Sequence, residues 1–224
     1  MTLSGAPAAV IFDNDGLTLD TEDLWTEAEK ALFANYSADF GPAQKLALLG
    51  NSGADAAVIL ARELGQPDGD GPALVAEMNR LVYLALEEGC EPTKGAVELL
   101  TALRDAGIPR ALCSNSPLEF VGRAVDAAGV RNYFDVIVSA DEVAHGKPAP
   151  DPYLEAARRL GVDPQLCVAL EDSVPGATSA SAAGMTVFVV PSFEETDFGD
   201  VADRSFASLA EPELWAALGV RGSA

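Results

Sequence analysis

The chain has 224 residues, room for one large domain or for a domain carrying an insert. It is 49% hydrophobic but only 7% aromatic, with a formal net charge of −21 and a pI near 4.1. Such a composition builds a core from Ala, Val and Leu and excludes a disordered chain, while the charge repels nucleic acid and anionic membranes, so neither is expected as a partner. Three unpatterned cysteines, Cys90, Cys113 and Cys167, show neither disulfide nor zinc spacing and fit a reducing cytosol. The first residues lack the basic segment of a secretory signal, and no stretch approaches the length of a membrane span, so a cytoplasmic protein is expected.

Ala8–Phe12 has the length and composition of a first strand, and it runs into Asp13 and Asp15. Residues two apart on a strand face the same way, so two carboxylates would aim at one spot and repel unless something positive lies between them. An Asp-Gly turn explains the same residues, and the stretch alone does not choose. From Asp20 to Glu91 no strand is expected. Leu24, Ala28 and Leu32 have helical spacing, as do Ala56, Leu60 and Leu64, then Leu74, Met78, Leu81 and Ala85. The Pro- and Gly-rich residues 66–72 read as a loop between two of these helices. The all-helical insert is expected to form a separate small domain over residues 18–91. Residues 1–17 and 92–224 then make the main domain, with hinges near Gly16–Asp20 and Gly89–Gly95.

Four more strands are expected at Ala111–Cys113, Phe134–Val138, Cys167–Leu170 and Met185–Val190. Between them, a helix opens at Ser116-Pro117-Leu118-Glu119 with Ser116 as its cap, another opens at Asp151-Pro152, and a third covers 176–184 and stops at Gly184. This alternation predicts an α/β fold: a Rossmann-like, doubly wound parallel sheet covered on both faces, with the helical insert after its first strand.

Polar residues fall where the strands end. Asp13 and Asp15 follow the first strand and Ser114-Asn115 the second. His145-Gly146-Lys147-Pro148 lies beyond the third, and Glu171-Asp172 follows the fourth. In an open parallel sheet these ends share one edge, where ligands bind. Singly, each group has a plain explanation as a cap, a turn or a solvated cation. Four at successive strand ends make a site. Its carboxylates require a cation, and oxygen-only ligands suit Mg²⁺. A Lys and a hydroxyl beside a metal match phosphoryl oxygens. One Asp can attack as nucleophile while its partner serves as acid and then base.

Phe12-Asp13-Asn14-Asp15-Gly16-Leu17-Thr18-Leu19-Asp20-Thr21-Glu22 resembles the first motif of the haloacid dehalogenase superfamily. Cys113-Ser114-Asn115 resembles the second, Gly146-Lys147-Pro148 the third, and Leu170-Glu171-Asp172-Ser173 with Gly176 and Gly184 the fourth. The motifs occur in the family's order over nearly the whole chain, and the insert is similar to its C1 helical cap. The resemblance is to the phosphatase and β-phosphoglucomutase-like branch, including pseudouridine-phosphate and sugar-phosphate phosphatases. It implies that Asp13 becomes an aspartyl phosphate and that Asp15 protonates the leaving alcohol, then activates water. Asp13, the Asp15 carbonyl and Asp172 would hold Mg²⁺, with Glu171 ligating directly or through water. Ser114 and Asn115 would bind the phosphoryl group, and Lys147 would neutralise it.

The expected partner is a small phosphorylated metabolite, a sugar or nucleoside phosphate, bound by a monomer. The alternatives are a phosphomutase and a catalytically idle binding module. Trp25, Asn51 and Ser52 are the cap residues expected to face the substrate. Trp25 stands where the mutase branch carries a His, and an indole nitrogen accepts no proton. Two departures from the family pattern are visible. Asn14 replaces a frequently apolar residue, at a small expected cost because its side chain points away from the site. Thr18 also replaces an apolar residue, with no consequence derivable from the sequence.

Overall fold

The computed structural model of the chain describes residues 5–193 and 196–221. Six strands form one parallel sheet: β1 (Ala9–Phe12), β2 (Arg110–Ser114), β3 (Val136–Ser139), β4 (Cys167–Glu171), β5 (Thr186–Val189) and β6 (Arg204–Ser205). Their spatial order is β3-β2-β1-β4-β5-β6, so β1 is central and the chain reverses direction of travel on either side of it. Every residue of β1 is buried. Val10 and Phe12 pack on one face against α5 (Ala96–Asp105), α6 (Leu118–Ala127) and α9 (Pro212–Ala217). Ala9 and Ile11 pack on the other against α7 (Asp151–Leu160) and α8 (Val174–Ala182). The two-residue side-chain period of a strand thus serves two cores at once.

The insert after β1 is all helical: α1 (Glu22–Asn35), α2 (Pro42–Leu48), α3 (Gly53–Glu63) and α4 (Gly71–Leu86). It has a core of its own in Leu32, Phe33, Leu48, Leu60, Leu74 and Met78. The two connections to the sheet run side by side. Asp20 N–H donates to Glu91 O at 2.9 Å, Thr93 N–H donates to Thr18 O at 3.0 Å, and the Thr93 hydroxyl donates to Leu17 O. Among the described residues no helix is long and apolar enough to cross a membrane.

Several elements differ from the sequence expectation. β6 has only two residues, both exposed, and is too short to show a period; Arg204 instead lies over the rings of Phe188 and Phe206. α2 and α9 are also too short for a clear repeat, and α5 was not anticipated. α4 begins at Gly71, inside the expected loop, with Pro72 in its first turn, where a missing N–H costs nothing. α8 begins at Val174 because the Ser173 hydroxyl accepts from Gly176 N–H. Ser116 caps no helix, since α6 starts after Pro117 and the Ser116 hydroxyl is directed elsewhere.

Thr18 and Asn14 both have consequences. The buried Thr18 hydroxyl donates to Asp13 O at 2.5 Å and helps form the turn after β1. Asn14 is fully buried, and neither polar atom of its amide has a hydrogen-bond partner among the described residues. Burying an unpaired amide is costly, so the expectation of a small cost is corrected. Asn14→Leu, close in shape and without polar atoms, should stabilise the fold by about 1–3 kcal/mol in urea denaturation. A loss of stability would mean that the amide is paired in solution.

Candidate active site

The central position of β1 assembles the site. Phe12 is in register with Leu112 on β2 and with Leu170 on β4, so the residues after these positions meet at one edge of the sheet. Lys147, in the loop between β3 and α7, is 1% exposed and reaches into that edge. Its ammonium donates to Asp13 Oδ1 at 2.5 Å, Glu171 Oε1 at 2.6 Å and Cys113 O at 2.9 Å. Burial alone would lower the Lys147 ammonium, but the Asp13 and Glu171 carboxylates outweigh it and hold it well above its usual range.

Glu171 is fully engaged. Besides Lys147, Oε1 accepts the Tyr153 hydroxyl at 2.6 Å. Oε2 accepts from Asp172 N–H, Ser173 N–H and the Ser173 hydroxyl at 3.1–3.4 Å. Gly176 lies directly over this carboxylate, and a Cβ there would overlap it, so only glycine lets α8 start so close. Asp172 accepts from the Ser192 hydroxyl and faces Gly16, whose φ of +79° and lack of a side chain admit the turn after Asp15.

Ligand oxygens of Asp13, Glu171 and Asp172 lie within 4.8 Å of one another, all buried. Three buried carboxylates against the one Lys147 ammonium leave about two negative charges at the sheet edge. Burial, then the neighbouring acids, push the carboxyls of Asp172 and Asp13 well above the usual range, with Lys147 opposing this for Asp13. A divalent cation among these hard oxygens would cancel the excess, so the residues present fit one.

Asp15 is wrapped by four donors. Oδ1 accepts the Thr21 hydroxyl at 2.8 Å and Trp25 Nε1–H at 3.1 Å. Oδ2 accepts the Ser114 hydroxyl at 3.1 Å and the Ser116 hydroxyl at 2.8 Å. Two donors come from the start of the helical insert and two from the end of β2. Thr21 and Ser116 were not expected here, since only their distance from Asp15 in the fold reveals them. The Asn115 amide is also engaged. It donates to Gly50 O at 3.0 Å and Lys147 O at 2.9 Å, and accepts from Lys147 N–H at 2.7 Å.

Between sheet and insert lies a cavity of about 640 Å³, lined by Asp13, Asp15 and Asp172 on one side and by the insert on the other. That volume suits a small metabolite. Trp25, Asn51 and Ser52 all line it. Trp25 is also tilted against Phe120 of α6, with ring centroids 5.2 Å apart. Asn51 turns its amide back to Ala47 O and Leu49 O, and Ser52 caps α3 through Asp55. The sequence reading missed Glu22, Glu29 and Lys45 on the same wall. The spacing of Glu22, Trp25 and Glu29, three and then four apart on α1, was the available signal.

A family model described as haloacid dehalogenase-like hydrolase matches residues 7–184. Hexitol phosphatase B of Escherichia coli strain K12 is 33% identical over 208 residues, covering 91% of this chain and 93% of that protein. Fructose-1-phosphate phosphatase YqaB of the same strain is 35% identical over 178 residues, covering 80% of this chain and 93% of that protein. The crystal structure of CbbY from Rhodobacter sphaeroides in complex with phosphate superposes with a TM-score of 0.80 at 30% identity, covering 95% of this chain and 99% of that one.

Burial pushes the Glu29 carboxyl up from 4.5 to about 7, with Lys45 opposing and Glu22 adding to the rise. Between those values the native state holds a proton that the unfolded chain releases, so stability falls as pH rises through that window. The loss is at most on the order of 3 kcal/mol. Glu29→Gln carries no such proton, so its melting temperature should change less than the wild type's between about pH 5 and about pH 8. Parallel melting profiles would show that Glu29 does not titrate there.

Proposed function

The chain belongs to the haloacid dehalogenase-like hydrolase family, and from that footing we propose that it is an Mg²⁺-dependent phosphatase of small sugar or polyol phosphates. The observation that carries this reading is the pairing of a Lys147-bound Asp13 with a donor-wrapped Asp15 at one end of a metabolite-sized cavity. The names of the hexitol and fructose-1-phosphate phosphatases point to the same substrate class.

In the proposed reaction an Asp13 oxygen attacks phosphorus and the bond from phosphorus to the alcohol oxygen breaks. Asp15 gives that oxygen its proton. Water then attacks the aspartyl phosphate, Asp15 takes a proton from the water, and Asp13 is regenerated as inorganic phosphate leaves. Lys147 holds one Asp13 oxygen and its positive charge faces the incoming phosphate. Held by the Asp13 carboxylate, the Asp15 carbonyl and Asp172, Mg²⁺ would offset the charge of the acids and of the phosphoryl oxygens.

Glu171, whose oxygens are already occupied, is assigned the positioning of Lys147 in preference to a direct metal contact. The Ser114 hydroxyl would exchange Asp15 for a phosphoryl oxygen. Asn115 ties the Lys147 loop to Gly50 of the insert. Residues 18–91 would act as a cap that closes over the substrate, hinged where the two connections run side by side. Trp25 supports hydrolysis over phosphoryl return to a sugar, because its ring nitrogen can donate to Asp15 but cannot accept or relay a proton.

Asp13→Asn preserves shape without the nucleophile, so turnover of p-nitrophenyl phosphate should fall by roughly three orders of magnitude or more. Chelation by EDTA should abolish turnover, and added Mg²⁺ should restore it. Near-normal turnover in Asp13→Asn, or indifference to EDTA, would refute this mechanism.

Trp25→Phe keeps an aromatic ring and removes one donor from Asp15. Its kcat/KM should fall roughly tenfold further on an alkyl phosphate, which needs a proton on its leaving oxygen, than on p-nitrophenyl phosphate. Equal losses on both substrates would count against coupling of Trp25 to the acid role of Asp15.

A further inference from the structure

Glu22 and Glu29 lie seven residues apart on α1, two turns along one face, and Lys45 reaches between them from α2. The Lys45 ammonium is 3.0 Å from Glu22 Oε2 and 3.2 Å from Glu29 Oε2. The group is largely shielded, with the Glu29 side chain 5% exposed, Lys45 11% and Glu22 20%. All three residues line the cavity that holds Asp13 and Asp15. The ammonium pairs with both Oε2 atoms, and no second donor meets either oxygen among the described residues. A carboxylate has about four acceptor sites, and a hydroxyl entering the cavity would fill some of those that Lys45 leaves open.

The charge of the group narrows the ligand further. Besides Lys147 at the sheet edge and His145, whose side chain is 75% exposed, Lys45 is the only basic residue lining the cavity among the described residues. It is already committed to two carboxylates. A second phosphate at this end would meet two acids and no free cation, and a like charge in a shielded site is strongly disfavoured. A hydroxyl can instead donate to either carboxylate and accept from the ammonium.

We infer that Glu22, Glu29 and Lys45 form a subsite for the hydroxyl groups at the far end of a monophosphorylated polyol, and that the same subsite turns away a second phosphate. The inference rests on the phosphatase reading above and names which phosphates that site takes.

Three substrates compared on the full-length protein with Mg²⁺ test it: a hexitol monophosphate, a simple alkyl phosphate lacking distal hydroxyls, and a sugar bisphosphate. The hexitol monophosphate should exceed the alkyl phosphate in kcat/KM by roughly 100-fold, because an analogue without hydroxyls displaces water from the carboxylates and returns no hydrogen bond to them. It should exceed the bisphosphate by at least about tenfold. In Glu29→Gln the preference for hexitol over alkyl phosphate should shrink roughly tenfold, mainly through KM. The double variant Glu22→Gln, Glu29→Gln leaves Lys45 free of carboxylates and should shift preference toward the bisphosphate. A wild-type preference for the bisphosphate overturns the subsite without needing any variant, as does an unchanged ratio in a folded Glu29→Gln. If p-nitrophenyl phosphate is hydrolysed and these ratios are absent, only the subsite falls. If it is not hydrolysed either, the phosphatase reading fails and the subsite with it.

Discussion

The buried ammonium of Lys147 is the interaction on which the rest of the site depends. It sits between Asp13 and Glu171, beneath a backbone carbonyl, with almost no exposure. A lone ammonium in that position would be expensive, and so would either carboxylate. Together they are tolerable only because every partner is held in place. Tyr153 from α7, the backbone at the start of α8 and the side-chain-free Gly176 all serve to hold Glu171. Burial keeps the Tyr153 hydroxyl protonated, pushing its pKa well above the usual value with Glu171 adding to the rise, so it remains a donor. The helices that cover one face of the sheet are therefore part of the site's electrostatics as well as of its core.

The helical insert meets the sheet through polar contacts close to the acids. Asn115 ties the Lys147 loop to Gly50, while Thr21 and Trp25 at the start of α1 reach Asp15 from the side opposite Ser114 and Ser116. Any movement of α1 relative to the sheet must change the donors around Asp15. In the proposed reaction, that is the carboxylate whose proton state has to alternate. The tilted contact of Trp25 with Phe120 makes the same helix answer to the packing of α6. Motion of the insert and acid-base chemistry would then be linked by contact, without a long-range relay.

A chain with net charge −21 handling anions faces a physical difficulty. Its surface repels phosphate at a distance, so attraction has to be local, short-ranged and shielded from water. Lys147 and the excess negative charge of the three clustered acids, which calls for a cation, meet that need at the sheet edge. At the opposite wall Lys45 is neutralised by its two glutamates. In the proposed reading the cavity is thus polarised, with one end suited to a single phosphate and the other to uncharged hydroxyls.

Much of this was legible in the chain itself. Short apolar runs alternating with helical patterns specify a parallel sheet. Asp13, Asp15, Ser114, Glu171 and Asp172 fall at or just after strand ends, and Lys147 in the loop beyond β3, and the sheet order collects them at one edge, a consequence of topology that local patterns carry. What stayed hidden depends on contacts between residues distant in sequence. The four donors on Asp15 span about a hundred residues, and nothing local marks Thr21 or Ser116 as belonging together. Ser116 carries the local signature of a helix cap and is drawn away by a carboxylate that the fold places beside it. Asn14 was expected to be cheap because a strand period shows which way a side chain points, but not whether a partner awaits it there. Lys45, Glu22 and Glu29 each look like solvated surface charges, and only the packing of α2 on α1 makes them one buried group facing the cavity. Sequence periodicity encodes direction and local order. Burial and pairing are properties of the assembled whole, and these decide what each charge does.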